Sequence, residues 1–281
     1  MQAAARERRS WNDWLTWRNL ALALGVLVLT VMAGIPGLAA PWFFFGTWPG
    51  HKFPEAHRWH DAQWGAMFGI VLGAGLLLLW RERTGRRPAL VQFLLLASAS
   101  LVLVNLPFNP LILLGLLAGV FTPVAAVAYF YPNRPSLRAL RPTGAINWPL
   151  IVVAGVIAAA ILRDSWLYLN YQWDNFGGEH AKFQHWTIGT VQGFVVLWGG
   201  LIAATNRPGS RAVGLLTAAS LVYLGLAALR VPDHAGSWGA SGGYWSIAGG
   251  VLLAALTLVN LPALAVARVR PLRGGTGARS G

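Results

Sequence analysis

"GAMFGIVLGAGLLLLWRERTGRR" at residues 65–87 and "GTVQGFVVLWGGLIAATNRPGSR" at residues 189–211 carry the same glycines and arginines at one constant offset of 124. Gly65 corresponds to Gly189, Gly69 to Gly193 and Gly75 to Gly199; then, without a gap, Arg83 corresponds to Arg207, Gly85 to Gly209 and Arg87 to Arg211. A match that runs through an apolar stretch and the basic loop after it marks an internal repeat. Upstream the register continues: Glu55 faces Glu179, Arg58 faces Lys182 and Asp61 faces His185.

Outward from these two blocks the chain is apolar almost throughout. Of its 281 residues, 56% are hydrophobic and only 11% are charged, whereas soluble domains carry roughly a quarter charged residues. Crossing about 30 Å of hydrocarbon takes a helix of about 20 residues that satisfies its own backbone groups, so long apolar runs read as spanning helices. Eight are predicted, over 19–40, 62–80, 89–106, 110–130, 147–163, 185–204, 212–229 and 244–267. The expected fold is an all-α integral membrane protein of eight transmembrane helices, arranged as two parallel four-helix repeats about a pseudo-two-fold axis along the membrane normal. Residues 1–18 lead into the first repeat (19–131). The linker 132–146 carries "NRPSLRALRPTG", and a basic tail, 268–281, follows the second repeat (147–267). The first span has a basic lead and ends in "GLAAP", as a secretory leader would, but its length and its place in the repeat make it a retained helix.

The net charge of +13 is distributed by side. Arg6, Arg8, Arg9 and Arg18 precede the first span; Arg81, Arg83, Arg86 and Arg87 fill the second loop, Arg134, Arg138 and Arg141 the fourth, Arg207 and Arg211 the sixth, and Arg268, Arg270, Arg273 and Arg279 the tail. The other side has Lys52, Arg58, Arg163, Lys182 and Arg230. The positive-inside rule then places both termini in the cytoplasm of a plasma membrane, and the basic balance reports topology instead of a nucleic-acid partner. Arginine in such excess over lysine is a composition associated with bacterial chains from GC-rich genomes.

All six histidines fall on the outer side or in the outer leaflet, with Glu55, Asp61, Asp164, Asp174, Glu179 and Asp233. The chain has no cysteine, so any metal site there uses imidazole and carboxylate. The densest group is "FPEAHRWHDAQWG", residues 53–65. If the second helix begins near Pro54, His57, His60, Asp61 and Trp64 share one face, and the repeat brings Asp61 and His185 together if the second and sixth helices line the axis. Gly65-x-x-x-Gly69 and Gly189-x-x-x-Gly193 let those helices pack closely, in this reading on each other. Glu55 and Glu179 suit the positive end of a helix, each with a basic residue three positions later.

Three accounts of the histidines stand side by side. They form an interfacial hydrogen-bond network in a tryptophan-rich belt; or His57, Asp61, His180 and His185 hold a divalent metal; or His57, His60 and His185 hold a haem or another hydrophobic cofactor, His60 and His185 as axial ligands from the two halves. His234, beside Asp233, is a weaker supporting candidate, as are Glu55, Glu179 and Trp64.

With eight helices in two parallel halves, long outer loops, and a Glu with His at the outer entry of each half's second helix, the layout resembles heme A synthase. The residues carrying the likeness are Glu55 with His57 or His60, and Glu179 with His180 or His185. The resemblance implies a haem and redox chemistry at the outer face. In that family each half also supplies a histidine from its fourth helix; the fourth and eighth spans here contain none, and His234 precedes the eighth.

No predicted span has an ionisable residue at mid-membrane, which argues against ion-coupled transport, and three methionines with no cysteine argue against copper(I) conduction. Mid-span Gln92, Gln192, Tyr223 and Asn260 fit interhelical hydrogen bonds. Trp42, Trp48, Trp166, Trp173 and Trp186 fit an outer aromatic belt, where a quinone or other hydrophobic small molecule would find stacking partners. Two functions are therefore expected of one surface: a haem, metal or hydrophobic-cofactor site supporting redox chemistry, or a non-catalytic membrane subunit or small-molecule-binding protein, with membrane partner subunits, whose polar cluster holds the halves together.

Overall fold

The computed structural model describes residues 17–43, 54–81, 85–132, 134–143, 145–175 and 178–259, with no strand among them. Among the described residues seven helices are long and apolar enough to cross a membrane. They are α2 (54–81), α3 (Pro88–Asn105), α4 (Pro110–Tyr129), α5 (Trp148–Asp174), α6 (His185–Ala203), α7 (Ser210–Arg230) and α8 (Gly239–Leu258). Ahead of them runs α1 (17–39), of which 24–39 is apolar. The chain is a multi-pass helical membrane protein whose environment is a lipid bilayer.

Prolines and asparagines set the helix starts. Pro88 and Pro110 occupy first-turn positions, where the missing N–H costs nothing. Asn109 caps α4 by accepting from the amides of Leu111 and Ile112 at 3.0 and 3.4 Å. Asn147 caps α5 through the Leu150 amide, and its Nδ2 donates to the Leu256 carbonyl of α8 at 2.9 Å. Asn147→Ala removes both bonds and is expected to lower stability by about 1–2 kcal/mol, read as a lower thermal midpoint in detergent.

Burial separates inner helices from outer ones. The apolar stretches of α2, α3, α6 and α7 are 72, 67, 67 and 61% buried, and those of α4, α5 and α8 only 22–28%. The outer helices present Leu111, Val152, Val156 and Val251 outward, as lipid-facing helices must. Inside, Met67, Leu72, Leu90, Phe93, Leu101, Val191 and Val195 form the main core. Polar side chains link the inner helices: Gln192 Nε2 donates to the Gln63 carbonyl at 3.0 Å, and Trp198 Nε1 to Ser100 Oγ at 3.1 Å.

The glycines pack differently from the sequence expectation. A Cβ on Gly65 would lie 2.3 Å from the Leu38 amide nitrogen, and Gly34 lies against Gly69, so the first pair receives α1. Gly189 and Gly193 instead meet Ser165 and Leu162 of α5. The two motifs therefore seat outer helices rather than joining α2 to α6; that junction is made by glutamine and histidine side chains. Gly75 meets Leu94 of α3, and Gly199 meets Thr217 of α7.

Two spans also shift. α5 runs on to Asp174, well past 163, because its last turns are amphipathic: Gln172 is buried and donates to the Ala181 carbonyl at 2.7 Å, while Trp166 and Trp173 face outward. α8 begins at Gly239, not 244. Its glycines belong to the helix because Gly243 and Gly225 meet backbone to backbone where α7 and α8 cross.

Candidate functional site

The N-terminal ends of α2 and α6, the C-terminal end of α5 and the connection 231–238 meet at one end of the bundle. The segment before α6 is fixed in several places. Gln184 takes the left-handed conformation, φ 56°, which is costly for a non-glycine residue. It is held there because its Nε2 donates to the Asn109 carbonyl at 3.4 Å and because the Thr187 hydroxyl lies 2.8 Å from both the Gln184 carbonyl and Asn105 Oδ1. That bend turns His185 inward. On the α2 side Arg58 donates to the carbonyls of Ala40 and Pro41, capping the end of α1. Its guanidinium thereby ties the start of α2 to the end of α1.

Three imidazoles come together. His57, His60 and His185 are 1, 2 and 4% exposed. The His185 ring lies 4.8 Å from that of His57, edge to face, and 5.3 Å from that of His60, stacked at 18°. Trp186 meets His60 edge-on at 4.9 Å and stacks on Tyr168 at 5.4 Å; it belongs to the cluster, not to the outer belt. His60 Nδ1 lies 3.4 Å from Gln63 Oε1, and Gly236, at φ 79°, passes so close that an added Cβ would stand 3.0 Å from His60 Cε1. Gly236→Ala should therefore displace the His60 ring, read as a shift of its imidazole NMR signals with the fold kept.

Beside the rings is a cavity of about 10 Å3, lined by His60, Gln63, Asp164, Tyr168, His185 and Trp238 among others. That is close to the least volume that admits a single water molecule. Asp164, Ser165 and Tyr168 sit on the extension of α5 that sequence reasoning cut short. The signal was there: Asp164 is a carboxylate on the histidine side of the chain, flanked by belt tryptophans.

Other candidates lie elsewhere. Asp61 does not join His185; its electrostatic neighbour is Tyr223 of α7, whose hydroxyl is shared between the carbonyls of Gly37 and Leu38 at 3.2 and 3.1 Å. Trp64 stacks on Phe68 and packs in the main core. His234 occupies a turn whose amide donates to the Val231 carbonyl, and its connection reaches the cluster through Gly236 and Trp238 instead. His51 and the side chains of Glu55, Glu179 and His180 lie outside the described residues.

A haem does not fit this arrangement. His60 and His185 are in ring contact with no gap for a macrocycle, the cavity is far below the roughly 300–1,000 Å3 of sites for larger ligands, and α4 and α8 have no histidine. Among the described residues, no three His, Asp or Glu side chains converge as a ready metal-binding group. Compared with models of protein families, with curated proteins and with solved structures, the chain has no match. Fold and site together define a class, a multi-pass helical membrane protein with a buried histidine cluster at one end.

Proposed function

We propose that this is a bacterial plasma-membrane protein of two parallel four-helix halves, both termini cytoplasmic, that binds one divalent transition-metal ion at its outer face through His57, His60 and His185. The observation that carries the reading is the contact of three buried imidazoles drawn from both halves. Burying so many polar rings at a membrane boundary is expensive and marks a site by default. Two imidazoles bound to one tetrahedral ion have ring centres roughly 5 Å apart, and the separations from His185 are 4.8 and 5.3 Å. The small cavity supplies the position for a bound water, and Asp164 the compensating charge.

The repeat is supported by glycines of equal function at the constant offset: Gly65 and Gly69 seat α1 as Gly189 and Gly193 seat α5, and Gly85 and Gly209 both have left-handed φ. The orientation is supported by the arginines at the end opposite the histidines.

The second reading, a subunit or binding protein with a structural cluster, is favoured by one observation: Gln63 links His60 to Gln192, tying α2 to α6 without any ion. Elemental analysis of protein purified in detergent without chelator separates the two. Near-stoichiometric zinc, copper or iron per chain is the expected result; folded protein that stays metal-free after loading with each of these ions overturns it.

A further inference from the structure

The end of the bundle opposite the histidines carries a second site. Residues 85–87 before α3 and residues 204–209 between α6 and α7 are pinned together. The Ala89 amide donates to the Pro208 carbonyl at 3.3 Å, the Arg87 amide donates to the Tyr131 hydroxyl at 2.8 Å, and the Gly209 backbone rests on Arg87, where an added Cβ would stand 3.0 Å from its Cα. Gly209 has φ 92°, a conformation that glycine adopts without strain, and it delivers the chain into the first turn of α7. Arg87 and Arg211, equivalent positions of the two halves, are thereby fixed on one cleft of about 420 Å3.

The walls of that cleft are of two kinds. Leu78 near the end of α2, with Ala212 and Leu215 in the first turns of α7, forms an apolar side. Arg87 and Arg211 form the other, and a neighbouring cleft lined by Arg207 and Asn206 shares Arg211 with it. No Asp or Glu lines either cleft, and among the described residues neither the Arg87 nor the Arg211 guanidinium has a hydrogen-bond or ion-pair partner. Arg207 is different: it is buried and donates to Thr205 and to the Ala139 carbonyl of the linker, so it fixes the wall.

From this geometry we infer that the cleft binds the headgroup of one anionic phospholipid, Arg87 and Arg211 taking its phosphate and an acyl chain lying along Leu78 and Leu215. The guanidinium fork matches phosphate oxygens, and the N-terminal amides of the 21-residue α7 add favourable partial charge. The cleft lies at the ends of two spanning helices, where headgroups lie, and its apolar wall continues into the depth of the acyl chains. Exposed arginines that only set topology, such as Arg81 and Arg138, line no such cleft. The inference is independent of the histidine site.

The test uses the full chain, delipidated in neutral detergent. Adding phosphatidylglycerol should raise the thermal midpoint by several degrees, and native mass spectrometry should show a single lipid retained per chain; phosphatidylcholine at the same mole fraction should do neither. Arg87→Gln with Arg211→Gln should erase the difference between the two lipids, whereas Arg81→Gln with Arg138→Gln should leave it intact. Equal responses to both lipids in the unaltered protein overturn the inference, and that comparison needs no variant to fold. So does a phosphatidylglycerol response that survives in the Arg87/Arg211 variant, or one that millimolar inorganic phosphate reproduces, since the cleft would then read a free anion.

Discussion

Gly65→Val is expected to separate α1 from the bundle. A Cβ at residue 65 would stand 2.3 Å from the Leu38 amide nitrogen and 2.4 Å from the Gly37 carbonyl carbon. Both are backbone atoms of a helix, which no side-chain rotation can move aside. Overpacking costs about 1–3 kcal/mol where neighbours relax; here a whole helix must shift, so the loss should reach or exceed the top of that range. The Tyr223 hydroxyl would lose its place beside the Gly37 and Leu38 carbonyls, and Arg58 its grip on Ala40 and Pro41. The measurement is the yield of monodisperse protein and its thermal midpoint in detergent. Gly115, Gly119 and Gly155 have no neighbour within 4 Å of an added Cβ, so alanine there should be neutral or slightly stabilising. If Gly65→Val melts like these controls, the α1–α2 contact is not as described.

His185→Ala should reduce the metal content to near zero. Its ring contacts both of the others, so its removal leaves His57 and His60 on one helix without the ligand from α6. His57→Ala and His60→Ala should each leave a pair of ligands from two helices and an affinity lower by more than the roughly 10–100-fold that loss of a mere supporting partner of a ligand costs. His234→Ala should leave content and affinity unchanged. Thermal melts of metal-free samples guard against misreading: a purely structural cluster predicts that all three variants lose stability equally whether or not metal was ever present.

Much of the architecture could be read from apolar length alone, because a bilayer allows few alternatives to the helix. Boundaries failed where helices leave the hydrocarbon. Residues 164–174 mix tryptophan, tyrosine and polar side chains, which a search for apolar runs discards, and yet one side of that stretch packs Ser165 and Gln172 inward. Glycine spacing showed that α2 and α6 have close neighbours but not which ones, since small residues permit an approach from any helix. The histidines of α2 were legible as a cluster. His185 was expected beside them and also beside Asp61; the rings of His57 and His60 meet it, whereas Asp61 has Tyr223 as its electrostatic neighbour, and an offset between equivalent positions says nothing about which side chains meet. Gly236 and Tyr168 reach the site through connections that carry no periodic signal at all.

The hydrogen bonds that join the inner helices also impose an order on biosynthesis. Gln63, Ser100 and Asn105 wait for Gln192, Trp198 and Thr187, which follow them by 129, 98 and 82 residues. At roughly 5–20 residues per second, the first half spends several seconds to tens of seconds in the membrane with polar groups facing lipid or whatever helper protein shields them. A chain truncated in the linker would stay in that condition permanently. It is such a fragment, and not the finished protein, that membrane quality control should seize first.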